Sequence, residues 1–132
     1  MDLGISGKIA VVNGGSAGMG KGSAIALAKE GVSLFISARG ERRLIETCKA
    51  IEKETGVIAE PIVADHSTDK GREKILLACP DPDILVGTCT PPPFTNSYEE
   101  VSTNEWRQTL DVTLLSPVAV SYTHLTLPTT HC

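Results

Sequence analysis

The stretch 11–20, VVNGGSAGMG, constrains this chain more than any other, because a β-branched run feeds directly into glycines spaced Gly14-x-x-x-Gly18-x-Gly20. Gly14 can take a positive φ where a strand must turn sharply. Gly18 and Gly20 present no side chain where a ligand and the following helix come close. The opening of that helix offers free backbone N–H groups and a partial positive charge, so the turn is suited to holding phosphate.

The flanking sequence gives the turn its context. Lys8 to Val12 (KIAVV) reads as a buried parallel strand, and Ser23 to Lys29 (SAIALAK) as a small-residue helix able to pack closely on a sheet. Gly31 stops that helix and Val32 to Ser37 forms a second strand, completing a β-loop-α-β unit of about 30 residues. Glu41 to Thr55 places Leu44, Ile45, Cys48 and Ile51 at helical spacing before Gly56. Val57 to Ala64 predicts a third strand, which Pro61 confines to a sheet edge.

Asp69 to Ala78 predicts a further helix, and Asp83 to Val86 a fourth strand entered through the turn Pro80-Asp81-Pro82. The proline run in Thr90 to Phe94 predicts a stiff extended wall beside a cleft. From Thr103 to about Val120 the chain reads as helix, with Trp106, Leu110, Thr113 and Leu114 on one face and Pro117 kinking or limiting it. Strand and helix alternate throughout. The expected fold is therefore a doubly wound parallel sheet of strand order 3-2-1-4 in three α/β/α layers, truncated after about four strands.

With 132 residues, 41% of them hydrophobic, the chain has the size of one domain with a modest core. A net charge of -4 argues against nucleic acid or an anionic membrane as partner. The start of the chain lacks the charged-then-apolar pattern of a leader, and no apolar run approaches a membrane span, so a cytoplasmic location is expected. Cys48, Cys79, Cys89 and Cys132 match no paired metal spacing, nor do His66, His124 and His131, so no metal is expected. The cysteines read as small buried residues, except Cys89 in a loop at a strand end.

A second test of dinucleotide binding lies at the end of the second strand, where an acidic residue would hydrogen-bond the adenosine ribose. This chain has Ser37-Ala38-Arg39 there, with Arg42 and Arg43 close by. Arg39 can pair with a 2'-phosphate in a forked geometry, which favours NADP(H) over NAD(H). The plainer alternative makes Arg39 a solvated charge at a strand end.

The glycine turn resembles that of the short-chain dehydrogenase/reductase family, usually Thr-Gly-x-x-x-Gly-x-Gly, with Asn13 in the threonine position. Asp83-Ile84-Leu85-Val86 resembles the family's D-I-L-V-N-N-A-G block, although Gly87-Thr88-Cys89-Thr90 replaces its N-N-A-G. Glu105-Trp106 and the run from Leu110 to Leu115 resemble the helix that carries the family's catalytic asparagine, with Thr113 in the matching position. The resemblance covers residues 5 to about 119. It implies that Gly14, Ser16, Gly18, Met19 and Gly20 hold the pyrophosphate, Arg39 the 2'-phosphate and Asp65 the adenine, with Cys89 near the ribose. Asp65 could equally cap a helix or form a turn, and Thr113 could be a core-facing helix residue.

By this resemblance the parent is an NADP(H)-dependent oxidoreductase similar to 3-oxoacyl-carrier-protein reductases. It would act on a small-molecule carbonyl or alcohol and form a homo-oligomer, a dimer or tetramer. The family's catalytic serine and Tyr-x-x-x-Lys pair have no match here: Tyr98 is followed four positions on by Ser102, and Tyr122 by Thr126. Alternatives are a non-catalytic dinucleotide-binding or sensor protein, or another nucleotide-type ligand such as a methyl donor. From Val120 the sequence VSYTHLTLPT turns Thr-rich and loses its periodicity, and it matches an in-frame translation of a transposon-end sequencing adapter. The expectation is a dinucleotide-binding half over residues 1–119 and a non-native tail over 120–132, with the fourth strand left as an exposed edge.

Overall fold

The structure, a computed structural model, describes residues 1–90 and 97–125, so the expectation for Pro91 to Phe94 and those for His131 and Cys132 lie outside it. Four parallel strands form one sheet in the order β3-β2-β1-β4: β1 (Ile9–Asn13), β2 (Ser33–Ala38), β3 (Ala59–Val63) and β4 (Ile84–Gly87). Between them run α1 (Gly18–Lys29), α2 (Glu41–Thr55) and α3 (Asp69–Ala78). This is the doubly wound arrangement that the alternation of strand and helix predicts. Pro61 sits on the edge strand β3 opposite Ile36, where its missing N–H leaves no gap in the sheet interior.

Successive residues of β1 face opposite sides of the sheet and so feed two cores. Val12 joins Leu34, Ile36, Leu44, Cys48 and Ile51 under α1 and α2. Val11 joins Ile62, Ala64, Ile75 and Cys79 on the opposite side. On α1 the buried residues Gly20, Ala24 and Ala28 recur every four positions, and this stripe of minimal side chains lets the helix lie close to the sheet. Cys48 and Cys79 are the small buried residues expected, and Cys89 is half-buried.

α2 and α3 have the bounds that their periodicity predicts, and Gly56 ends α2 in the left-handed conformation at φ 73°. The strands lie one or two residues from their expected limits. Asp83 stands just before β4 rather than opening it. Its carboxylate accepts from the Ile9 N–H at 2.9 Å and its own N–H donates to the Ile9 carbonyl at 2.8 Å, tying the starts of β1 and β4 together. α1 opens at Gly18 instead of Ser23, because tertiary packing of Gly20 outweighs the poor helix propensity of glycine.

The helix expected from Thr103 to Val120 is continuous but changes pitch. α4 (Thr103–Leu110) begins with a reciprocal capping box between Ser102 and Glu105, then a π turn spans Asp111–Leu115, and α5 (Ser116–Leu125) follows. Pro117 cannot donate to the carbonyl one α-turn back, and the wider turn accommodates it: the Ser116 N–H reaches the Asp111 carbonyl. The expected apolar face is not a core face. Trp106, Leu110 and Leu114 are 40–54% exposed, and Thr113 is exposed as well, which corrects its core-facing reading. α5 also runs unbroken across residues 119 and 120, and Val120 is buried. Among the described residues, no helix is long and apolar enough to cross a membrane.

Candidate dinucleotide site

β1 ends at Asn13, and Gly14 turns the chain at φ 76°. The N–H groups of Gly14 and Gly15 are already spent on the Ser37 carbonyl of β2, at 2.9 and 3.2 Å. They therefore fix the loop to the sheet instead of facing a ligand. The free donors lie one turn later. Ala17 at the N-cap of α1 offers no capping side chain, and the first turn of α1 carries no acidic residue. The N–H groups of Gly18, Met19 and Gly20 thus keep both their hydrogens and the positive end of the helix dipole for an outside anion.

These donors open onto a cleft of about 970 Å³ along the carboxyl ends of the strands. Gly14, Ser16, Gly18, Met19, Gly20, Arg39, Asp65 and Cys89, all the residues singled out from sequence, line it together. Arg39 is exposed at the end of β2, where a charged ligand can meet it. Of the neighbouring arginines, Arg43 lines the cleft, whereas Arg42 pairs its Nε with Glu46 at 3.1 Å on the exposed face of α2.

Asp65 is a turn former and not a helix cap. Its Oδ1 accepts from the Ser67 hydroxyl at 2.6 Å and N–H at 2.9 Å, and Thr68 caps α3 by accepting from Gly71. Partial burial pushes the Asp65 carboxyl up, but the Ser67 hydrogen bonds, with Arg39 and His66 nearby, outweigh it and hold the group below its ordinary value. It stays an ionised acceptor at neutral pH.

The sequence reading missed Thr88, the residue on which the glycine loop rests. Its hydroxyl donates to the Asn13 carbonyl at 2.8 Å and reaches the Gly14 carbonyl at 3.2 Å, while its N–H bonds Asn13 at 3.0 Å. The turn is therefore anchored without N-N-A-G, by a hydroxyl one residue past the end of β4. Thr88→Val should cost about 1–2 kcal/mol in a denaturant titration, since two part-buried carbonyls lose the hydroxyl donor, the Asn13 carbonyl keeping only the backbone N–H of residue 88, and Thr88→Ser should recover most of it. Thr113, in the position of the family's asparagine, gives its hydroxyl to the Thr109 carbonyl at 2.6 Å, and Val112 lines the cleft in its place.

The model of the family described as short chain dehydrogenase matches residues 8–129. The chain is 30% identical over 129 residues to the uncharacterized oxidoreductase YvaG of Bacillus subtilis, covering 95% of this chain and 47% of that protein. L-sorbose reductase from Gluconobacter frateurii, solved with NADPH and L-sorbose, superposes with a TM-score of 0.82 at 27% identity, covering 95% of this chain and 49% of that one. An alcohol dehydrogenase from the archaeon Thermococcus sibiricus, solved with 5-hydroxy-NADP, gives a TM-score of 0.78 at 29% identity, covering 89% and 52%. The chain thus spans about half the length of the relatives that it matches. With its glycine turn, strand order and family match in agreement, the chain belongs to the short-chain dehydrogenase family.

Proposed function

We propose that this chain is the dinucleotide-binding part of an NADP(H)-dependent oxidoreductase that interconverts a carbonyl and an alcohol. The observation that carries the reading is the uncapped glycine-rich start of α1, opening onto a cleft that Arg39 and Asp65 line further along. The N–H groups of Gly18, Met19 and Gly20 would receive the pyrophosphate, with Ser16 beside them. Arg39, with Arg43 in the same cleft, would receive a 2'-phosphate. Asp65 would face the adenine, and Cys89 would lie near the cofactor's ribose. When bound, the dinucleotide supplies or accepts the hydride, while the protein's part is to orient it and exclude competing reactions.

L-sorbose reductase was solved with NADPH, and the Thermococcus enzyme with an NADP derivative, which supports the phosphate-bearing cofactor here. We place the proton relay outside this chain and read the parent as similar to 3-oxoacyl-carrier-protein reductases, cytoplasmic and homo-oligomeric. The Thr113 hydroxyl, spent on its own helix, also suits a second reading as a non-catalytic dinucleotide sensor. NADPH oxidation by the full-length parent with a panel of carbonyls separates the two.

Titrating NADPH into the folded chain tests the site itself. Saturable binding is expected, with an apparent Kd on the order of 1–100 μM; a folded chain that shows no saturation at millimolar NADPH would refute the site. The proposed boundary at residue 119 is tested by reading the source DNA through codon 120 without transposon adapters. A frame running on into Tyr-x-x-x-Lys supports it, and a native SYTHLTLPTTHC followed by a stop overturns it.

A further inference from the structure

Adjoining the cleft lies a smaller chamber of about 90 Å³. Asn13 and Leu85 of the sheet wall it, Gly87 and Cys89 stand at the end of β4, and Pro117 and Val120 of α5, on either side of the proposed boundary at residue 119, close it. His66, Gly87, Thr88 and Cys89 belong to the chamber and the cleft alike, so the two adjoin. Three observations bear on what the chamber accepts.

The first is an unsatisfied donor. Asn13 is 1% exposed, and the Ser37 hydroxyl donates to its Oδ1 at 2.5 Å. Its Nδ2, equally buried, has no partner among the described residues. A buried amide nitrogen without an acceptor is costly, and a chamber wall is where an outside acceptor can relieve it.

The second is the absence of charge. No Asp, Glu, Lys or Arg is among the described residues that line the chamber. Burial depresses the His66 pKa, so the imidazole is neutral at pH 7 and can donate through one nitrogen and accept through the other. Burial likewise raises the Cys89 thiol and keeps it protonated. A carboxylate or ammonium entering here would lose water without a counter-charge on the chamber's own described lining, the nearest charges, Asp65, Arg39 and Arg72, acting only through His66.

The third is the shape at Gly87. A Cβ built there meets nothing within 4 Å, so the chamber has room where a side chain would branch from the end of β4. At roughly 10–15 Å³ per ordered water the space exceeds a single solvent site and fits a small organic group.

We propose that this chamber is a binding site for a small neutral carboxamide, whose carbonyl oxygen accepts from Asn13 Nδ2 and whose N–H groups meet the His66 and Thr88 side. The chemistry is that of an asparagine side chain cut from its backbone, offered to a cavity at Gly87. The proposal stands whether or not the cleft takes a dinucleotide.

Acetamide is the probe, with acetate at equal concentration and ionic strength as its charged counterpart. In ¹H–¹⁵N spectra of the whole chain, acetamide should shift the Asn13 side-chain NH₂ pair saturably, with a Kd on the order of millimolar. Acetate should leave that pair in place. Gly87→Asn, which would fill the chamber with a tethered carboxamide, should abolish the acetamide response. A response that fails to saturate, is matched by acetate, or survives in a folded Gly87→Asn variant would overturn the proposal. If that variant does not fold, the contrast between acetamide and acetate on the unaltered chain decides alone.

Discussion

Gly20→Ala is expected to remove dinucleotide binding, raising the apparent Kd at least about 100-fold, and to lower stability by about 2–3 kcal/mol. A Cβ at Gly20 falls 2.5 Å from the Thr88 hydroxyl oxygen and closer still to the Gly14 carbonyl oxygen. The hydroxyl could rotate away, but the carbonyl belongs to a backbone pinned on both sides: the Gly14 N–H is held by Ser37, and its carbonyl by Thr88. Relief must come from α1 lifting off the turn, which displaces the N–H groups of Gly18 to Gly20 that face the cleft. Gly22→Ala is the control within the same helix. Its Cβ meets nothing within 4 Å and its backbone is helical, so alanine should raise stability by about 0.5–1 kcal/mol and leave binding unchanged. Thermal or urea unfolding with NADPH titration of both variants checks the pair. Equal effects from the two substitutions would mean that the close contact at Gly20 does not govern the site.

That contrast also marks what could be read from sequence. Leu44, Cys48 and Ile51 repeat at helical spacing and Gly56 follows them, so α2 was legible to its last residue: each signal acts within a turn or two of the chain. Pro61 announced an edge strand through its own missing donor. The glycine turn was legible because a positive φ and a phosphate-facing helix start are local demands on residue type. Thr88 was not, since its hydroxyl bonds Asn13 and Gly14 some 75 positions away and nothing in Gly87-Thr88-Cys89-Thr90 announces that contact. The same distance in sequence separates Asn13 from the chamber wall at Gly87. The π turn at Asp111–Leu115 lies between these cases. Pro117 promised a disturbance, but whether the helix would break or widen depended on the Asp111 carbonyl finding the Ser116 N–H and hydroxyl together.

Arg39→Asp should reverse the order of cofactor preference. The guanidinium is exposed at the end of β2, free to form two parallel hydrogen bonds to a phosphate, an interaction stronger than a neutral pair and specific in geometry. Removing it costs about 1.5–3 kcal/mol of NADPH binding, and an aspartate adds repulsion of the dianionic phosphate, so a loss of roughly 100-fold or more is expected. NADH lacks that phosphate. Its ribose hydroxyls can donate to the new carboxylate, so NADH affinity should hold or rise a few-fold. The other two arginines give the internal scale. Arg43→Ala should weaken NADPH binding by several-fold, because Arg43 lines the same cleft as Arg39. Arg42→Ala should have no effect, because its side chain is turned outward to Glu46. Isothermal titration of both dinucleotides against the three variants reads all of this at once. A Kd for NADPH that is unchanged in Arg39→Asp, at low and moderate salt alike, would leave Arg39 a solvated strand-end charge and transfer the choice of cofactor to the chain's other cleft residues.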